Sequence, residues 1–161
     1  MKVVIATNRF LYDGRCERIC EIINGFMKRG NFEFYAFYTE QYKMEADVVR
    51  FIRVSSDCTL MDCLSYARYI VGDERFFLVL EETSLFVDPI TMLHSHLSTG
   101  SGITVCGYGA EGHPWKNSGV FLLEGEYLDG AEDCESFEKD IVIPCAEYGE
   151  LNVLLLPRNG A

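Results

Sequence analysis

Short runs dense in β-branched and aromatic residues alternate along this chain with longer segments whose apolar residues recur every three or four positions. The first pattern is that of a buried strand and the second that of a helix with one apolar face. Lys2 to Ala6 (KVVIA), Phe32 to Tyr38 (FEFYAFY) and, more weakly, Val48 to Val54 (VVRFIRV) read as strands. Between the first two, Ile19, Ile22, Ile23, Phe26 and Met27 lie at helical spacing, and Lys28, Arg29 and Gly30 form an end signal. From Thr59 to Tyr69 a second helix is predicted by Leu60, Cys63, Leu64, Ala67 and Ile70, followed by the strand RFFLVL. Asp88 before Pro89 predicts the start of a third helix, PITMLHSHL, because the carboxylate accepts from free first-turn amides and proline needs no donor there. ITVCGY and GVFLLE read as strands, ESFEKDIVIPCAEYG as mostly helix and LNVLLLP as the last strand. Strands separated by helices predict a largely parallel sheet covered on both faces.

With 161 residues, the chain has the length of one domain, and no internal repeat, linker or low-complexity segment divides it. A single domain over 1–161 is expected. The net charge of −11, from 25 acids against 14 bases, opposes nucleic acid or an anionic membrane as partner. Seven cysteines without a CxxC pair, and an N-terminus without a signal peptide, predict reduced thiols in a cytoplasmic protein. Cys16 and Cys20 share a helical face and are compatible with a metal pair, although no further ligands are evident. His94 and His96 are two apart on a predicted helix and point in different directions. His113 falls with Pro114 and Trp115 in a predicted loop, a place for a partner contact.

In open α/β sheets the ligand crevice lies beyond the carboxyl ends of the strands. The loops after Ala6, Leu80 and Gly107 are therefore where chemistry is expected.

The stretch YARYIVGDERFFLVLEETSLFVDPITMLHSHLSTGSGITV resembles the middle of the sugar-phosphate nucleotidylyltransferases, where an alanine-arginine helix leads to DEPFLVL and then Asn-Gly-Asp. KNSGVFLLEGEYLDG is similar to that family's Asn-Ala-Gly strand, and SFEKDIVIPCAEYGEL to its late helix. GRCERICEIINGFMKRGNFEFYAFYTEQY resembles its first helix and second strand. These matches follow family order over most of the chain. They imply an α/β fold: a three-layer, Rossmann-like, mostly parallel sheet with helices on both faces. The implied chemistry is attack by a sugar-phosphate oxygen on the α-phosphorus of a nucleoside triphosphate, with loss of pyrophosphate. Such a step needs alignment, cationic side chains and magnesium rather than a covalent intermediate.

The residues carried over by the resemblance depart from the pattern where the polyphosphate would sit. Ala6, Thr7, Asn8 and Arg9 occupy the first loop, with Thr7 and Asn8 in place of two glycines, so the backbone approaches a triphosphate less freely. Arg9 is the candidate catalytic cation; the other reading is an ordinary strand-to-helix connection. Glu81 and Glu82 are the candidate metal ligands, since Thr83 stands at the metal-holding aspartate and suits a hard cation poorly; the other reading is a solvated strand end. In CTLMDCL, Met61 and Asp62 replace small residues beside the nucleobase: Met61 would fill the space, and Asp62 is either a nucleotide contact or a first-turn acid favoured by the helix dipole. Asn117 and Gly119 match the sugar-contacting Asn-Ala-Gly, with a turn role as the other reading of Asn117. Glu138 falls in the matching late run and is either a sugar contact or an exposed helix residue.

The connection from Val105 to Asn117 is shorter than the family's insertion, and the chain stops at LPRNGA, before the segment that brings a second metal aspartate. Two readings stay open. One is a degenerate nucleotidylyltransferase-like domain that binds a sugar phosphate, a nucleotide or a protein partner without efficient catalysis. The other is an active enzyme using magnesium, with Arg9, Glu81 or Glu82, and Asn117 in the corresponding roles. A homo-oligomer is compatible with the aromatic content of 13%.

Overall fold

Seven strands form one sheet in the order β3-β2-β1-β4-β6-β5-β7. A computed structural model describes residues 1–6, 17–39, 47–80, 87–109 and 115–156. The strands are β1 (Lys2–Ile5), β2 (Glu33–Thr39), β3 (Val49–Val54), β4 (Phe76–Val79), β5 (Ile103–Tyr108), β6 (Lys116–Leu123) and β7 (Leu151–Leu156). The helices are α1 (Glu17–Met27), α2 (Leu60–Val71), α3 (Pro89–Thr99) and α4 (Ile143–Glu147), the last continuing a π-helical turn over Glu138–Val142. Two 3₁₀ turns, Gly125–Leu128 and Ala131–Asp133, precede that turn.

β1, β2, β3 and β4 run parallel, as do β5 and β7, while β6 pairs antiparallel with both β4 and β5. The largely parallel sheet expected from the alternation is therefore present, with one reversed strand inserted near its middle. β6 also begins at Lys116, three residues before the predicted strand, because Asn117 and Lys116 still pair with Gly107 and Tyr108.

The central strands carry no exposed face. All four β4 side chains, Phe76 to Val79, are fully buried, which is why RFFLVL shows an unbroken apolar run and no alternation. On one side of the sheet, Ile19, Ile22, Ile23 and Phe26 of α1 and Met92 of α3 pack against Val3, Ile5, Phe34, Phe77 and Leu122. Phe26 sits edge-on to Phe77 and Phe32, with centroids 5.1 and 5.2 Å apart. On the other, Cys63, Leu64, Ala67 and Val71 of α2, with Phe137, Ile141 and Cys145 of the late helical segment, cover Val4, Phe76, Leu78, Phe121 and Leu123. Helices on both faces give the three layers.

Local chemistry sets the helix ends. Asp88 Oδ1 accepts from the N–H of Ile90 at 2.9 Å, Pro89 follows in the first turn, and Gly100 ends α3 in the left-handed region with φ 62°. α2 opens with a reciprocal cap: Thr59 Oγ1 accepts from the N–H of Asp62 at 3.2 Å, and Asp62 Oδ2 accepts from the N–H of Thr59 at 2.9 Å.

A buried polar network crosses from α3 to the sheet at the amino ends of β4 and β5. His96, 1% exposed, bonds Thr104 Oγ1 through Nδ1 at 2.8 Å and Glu124 Oε1 through Nε2 at 3.1 Å. Arg75 Nε reaches the same carboxylate oxygen at 3.0 Å, and the Asn152 amide donates to Thr104 Oγ1 and to Ser95 Oγ. His94, by contrast, is exposed, so the two histidines diverge as their spacing predicts.

Gly125 packs where no side chain fits: an added Cβ would lie 2.1 Å from Gly72 O and 2.9 Å from Glu74 O, both backbone atoms. Gly125→Ala is expected to cost about 1–3 kcal/mol by forcing the backbone apart, read from urea denaturation, with Gly109→Ala, unobstructed among the described residues, as the neutral reference. His96→Leu is expected to lose about 1–3 kcal/mol as Glu124 and Thr104 each lose a buried partner, measured in the same way.

Candidate functional site

A cleft of about 660 Å³ opens at the carboxyl edge of the parallel strands. Its walls come from four places: Thr59, Leu60 and Met61 at the start of α2; Leu80 after β4; Trp115, Asn117 and Gly119 at the start of β6; and Glu135, Ser136 and Glu138 with Ile143 from the late helical segment. Val105, Phe121, Phe137 and Leu151 form its apolar floor.

The β6 wall has this shape because of a bulge. The β5–β6 register shifts between Cys106, opposite Val120, and Gly107, opposite Asn117, leaving Ser118 and Gly119 as extra residues. Three bonds satisfy the bulge. Ser118 Oγ donates to Cys106 O and accepts from the N–H of Val120, and Asn117 Oδ1 accepts from the N–H of Gly119 at 2.7 Å. Gly119 has φ 80°, a conformation side chains rarely adopt, and its carbonyl accepts from the N–H of Leu80 at 2.8 Å, tying the bulge to the end of β4. The turn role of Asn117 is thus present in its carbonyl oxygen, while the amide Nδ2 has no partner among the described residues. An Asn oxygen held in this way leaves two N–H donors for a ligand hydroxyl.

Trp115 lies against Gly107, where an added Cβ would sit 2.5 Å from its ring. Its 41% exposure leaves one apolar aromatic surface in the cleft. Met61 is 5% exposed and belongs to the core cluster as well as to the α2 wall.

The late helical segment is held by Asp140, whose Oδ2 accepts from the N–H groups of Glu135 and Ser136 at 2.9 Å each. Those two bonds hold its carboxyl below the usual range. The π-helical turn that follows presents Glu138 to the cleft; single π-helical turns are frequent at functional sites. Among the described residues, Glu135 and Glu138 are the ionisable side chains on the cleft wall, and no Lys or Arg lines it.

The candidate residues thus separate. Asn117, Gly119 and Glu138, spread over more than twenty residues of sequence, meet on one cleft. Ala6 is 1% exposed at the end of β1, and its N–H donates to Val79 O at 2.9 Å. Asp62 stands just behind the wall with its carboxylate engaged in the α2 cap. Thr7, Asn8, Arg9, Glu81 and Glu82 lie outside the described residues, as do Cys16 of the proposed cysteine pair and His113. Among the described residues no group of three or more His, Cys, Asp or Glu side chains could hold a metal ion, and no helix is long and apolar enough to cross a membrane. Trp115, Phe137 and Ser136 are lining residues that spacing did not single out.

Because the Asp140 carboxyl is held below its ordinary range, its contribution is complete above the unfolded carboxylate range and is lost as pH falls through the folded value. Hydrogen-exchange protection of the Glu135 and Ser136 amides is expected to fall on acidification, and Asp140→Ala is expected to remove it at neutral pH.

No protein-family model matches this sequence, and no curated protein matches it. Solved structures do match. The chain is similar to a protein from Bacillus anthracis described as a candidate glucose-1-phosphate thymidylyltransferase, solved in complex with sucrose, with a TM-score of 0.69 at 12% identity over 96% of this chain and 86% of that one. It is also similar to HddC from Yersinia pseudotuberculosis, with a TM-score of 0.66 at 13% identity over 96% and 89% of the two chains. The mixed seven-stranded sheet between two helical layers, taken with these likenesses, gives the chain a nucleotidyltransferase fold.

Proposed function

We propose that this chain is a degenerate nucleotidylyltransferase-like domain that holds the sugar moiety of a sugar phosphate or nucleotide sugar without efficient nucleotidyl transfer. The observation that carries this reading is the meeting of Asn117, Gly119 and Glu138 on one cleft beside the open surface of Trp115. An amide with free donors, a carboxylate acceptor and an aromatic face together suit a polyol, which offers hydroxyls at its rim and C–H groups on its ring faces.

The nucleotide side supports the absence of efficient transfer. Met61 fills the core under the α2 wall, and the Asp62 carboxylate already accepts from the N–H of Thr59. The cleft wall described here carries two acids and no cation, so developing negative charge on a polyphosphate would meet repulsion there. Magnesium belongs to the active alternative, in which Glu81 or Glu82 would supply its charge and Arg9 would meet the phosphate. A cytoplasmic setting belongs to the same reading, since seven cysteines without a CxxC pair suit reduced thiols.

Calorimetric titration with hexoses, hexose phosphates, nucleotide sugars and nucleoside triphosphates, each with and without magnesium, tests the reading. Binding of a sugar-containing ligand independent of magnesium is expected, with Asn117→Ala weakening it about tenfold, or about 1.4 kcal/mol. Failure of every sugar-containing ligand to bind would end it. Magnesium-dependent incorporation of a labelled nucleotide into a sugar-phosphate product, abolished by Glu82→Ala, would establish the active alternative instead.

A further inference from the structure

Two thiols stand close together behind the α2 wall, and the sugar-binding reading uses neither. Cys58 lies in the turn between β3 and α2, where its N–H donates to Ser55 O at 3.0 Å. Cys63 lies in the first turns of α2, where its N–H donates to Thr59 O at 3.1 Å. Their Sγ atoms are 3.8 Å apart. A disulfide requires about 2.05 Å, so the sulfurs have about 1.8 Å to close. Cys63 is fully buried and Cys58 is half-buried, an arrangement with one sulfur within reach of solvent and the second held beside it. The four residues between them are Thr59, Leu60, Met61 and Asp62. The first three line the cleft, and Thr59 and Asp62 form the cap of α2.

We propose that Cys58 and Cys63 are a reversible disulfide site whose closure moves the α2 wall of the cleft. The oxidant is a low-molecular-weight disulfide, RSSR. The Cys58 thiolate attacks one of its sulfurs, forming a mixed disulfide and releasing one RS⁻. The Cys63 thiolate then attacks the Cys58 sulfur, forming the internal bond and expelling the second RS⁻. The two protein thiols lose two protons and two electrons, and RSSR becomes two RSH. Excess RSH reverses both steps.

Burial raises both thiols above their ordinary range; at Cys58 the contact with Cys63 partly offsets this while the Asp62 and Asp57 carboxylates add to it, and at Cys63 the neighbouring Cys58 adds to it. The exchange is therefore slow at neutral pH and quickens as pH rises and the thiolate fraction grows. Once the mixed disulfide forms, the second sulfur needs no diffusion to find it. Closure draws the Ser55–Cys58 turn onto the first turns of α2, and Thr59 to Met61 sit between the two sulfurs in sequence and so shift with it.

Trp115 is the single tryptophan of the sequence and lines the same cleft, so its emission reports on the wall without any ligand. The full chain is equilibrated with oxidised and reduced glutathione at graded ratios, then alkylated, digested and mapped by mass spectrometry, with emission recorded in parallel. The expected result is a Cys58–Cys63 cross-link that disappears with excess reduced glutathione, formed faster at higher pH and accompanied by a change in Trp115 emission. Cys58→Ser is expected to show neither the cross-link nor the emission change. A cross-link between other cysteines, a glutathione adduct that persists on Cys58 beside a reduced Cys63, or closure with unchanged emission would each overturn the proposal. Mapping of the wild-type chain decides the first two outcomes whether or not the variant folds. Because no sugar is present, the result stands apart from the outcome of the ligand titrations.

Discussion

β6 runs against its neighbours on both sides, and the rest of the molecule is arranged around that reversal. An antiparallel strand between β4 and β5 places its own first residues at the carboxyl ends of the parallel strands. Lys116 to Gly119 therefore stand where Leu80 leaves the sheet, and the bulge at Ser118 and Gly119 lifts Asn117 and Trp115 into the same space. The backbone ladder satisfies the polar groups of the inserted strand, while Val120 to Leu123 continue both cores. One strand thus joins the two halves of the sheet and builds one wall of the cleft. A bulge tied by Ser118, Asn117 and the Gly119 carbonyl is a stiff platform, and positioning of this kind favours a defined ligand over an adaptable surface.

The two edges of the sheet differ in chemistry. At the amino edge of the parallel strands, His96, Thr104, Glu124, Arg75 and Asn152 are closed into a satisfied polar network. Buried groups bonded to one another fix α3 and the strand ends in one arrangement and leave little for a ligand. At the carboxyl edge, the Asn117 amide, the Glu138 carboxylate and one face of Trp115 remain available in a cleft with an apolar floor. Polar groups that the fold does not consume, gathered in a cleft, are what a ligand site requires. Among the described residues the wall carries the acids Glu135 and Glu138 and no Lys or Arg.

Much of the architecture was legible in the sequence. The apolar period of Ile19 to Phe26 and of Leu60 to Ile70 gave α1 and α2, and Asp88 before Pro89 gave the start of α3, since those signals act within a few residues of themselves. Family-like motifs singled out Asn117, Gly119 and Glu138, and all three line the cleft. Other features were silent because their partners are remote. Nothing near His96 announces Glu124, 28 residues away, and an isolated Trp115 gives no hint of Gly107 beneath it. The turn reading of Asn117 is met by its oxygen, and its amide nitrogen has no partner among the described residues.

The sequence by itself determined the local order of strands and helices and the caps that bound α2 and α3. Those properties depend on residue type and on neighbours a few positions away. Only the tertiary structure decided that β6 is reversed, that Cys58 and Cys63 bring their sulfurs together behind the α2 wall, and that four separate segments close around one cleft. Strand direction and side-chain proximity depend on hydrogen-bond ladders and packing between segments distant in the chain, and periodicity along one segment carries no record of which distant segment it will meet.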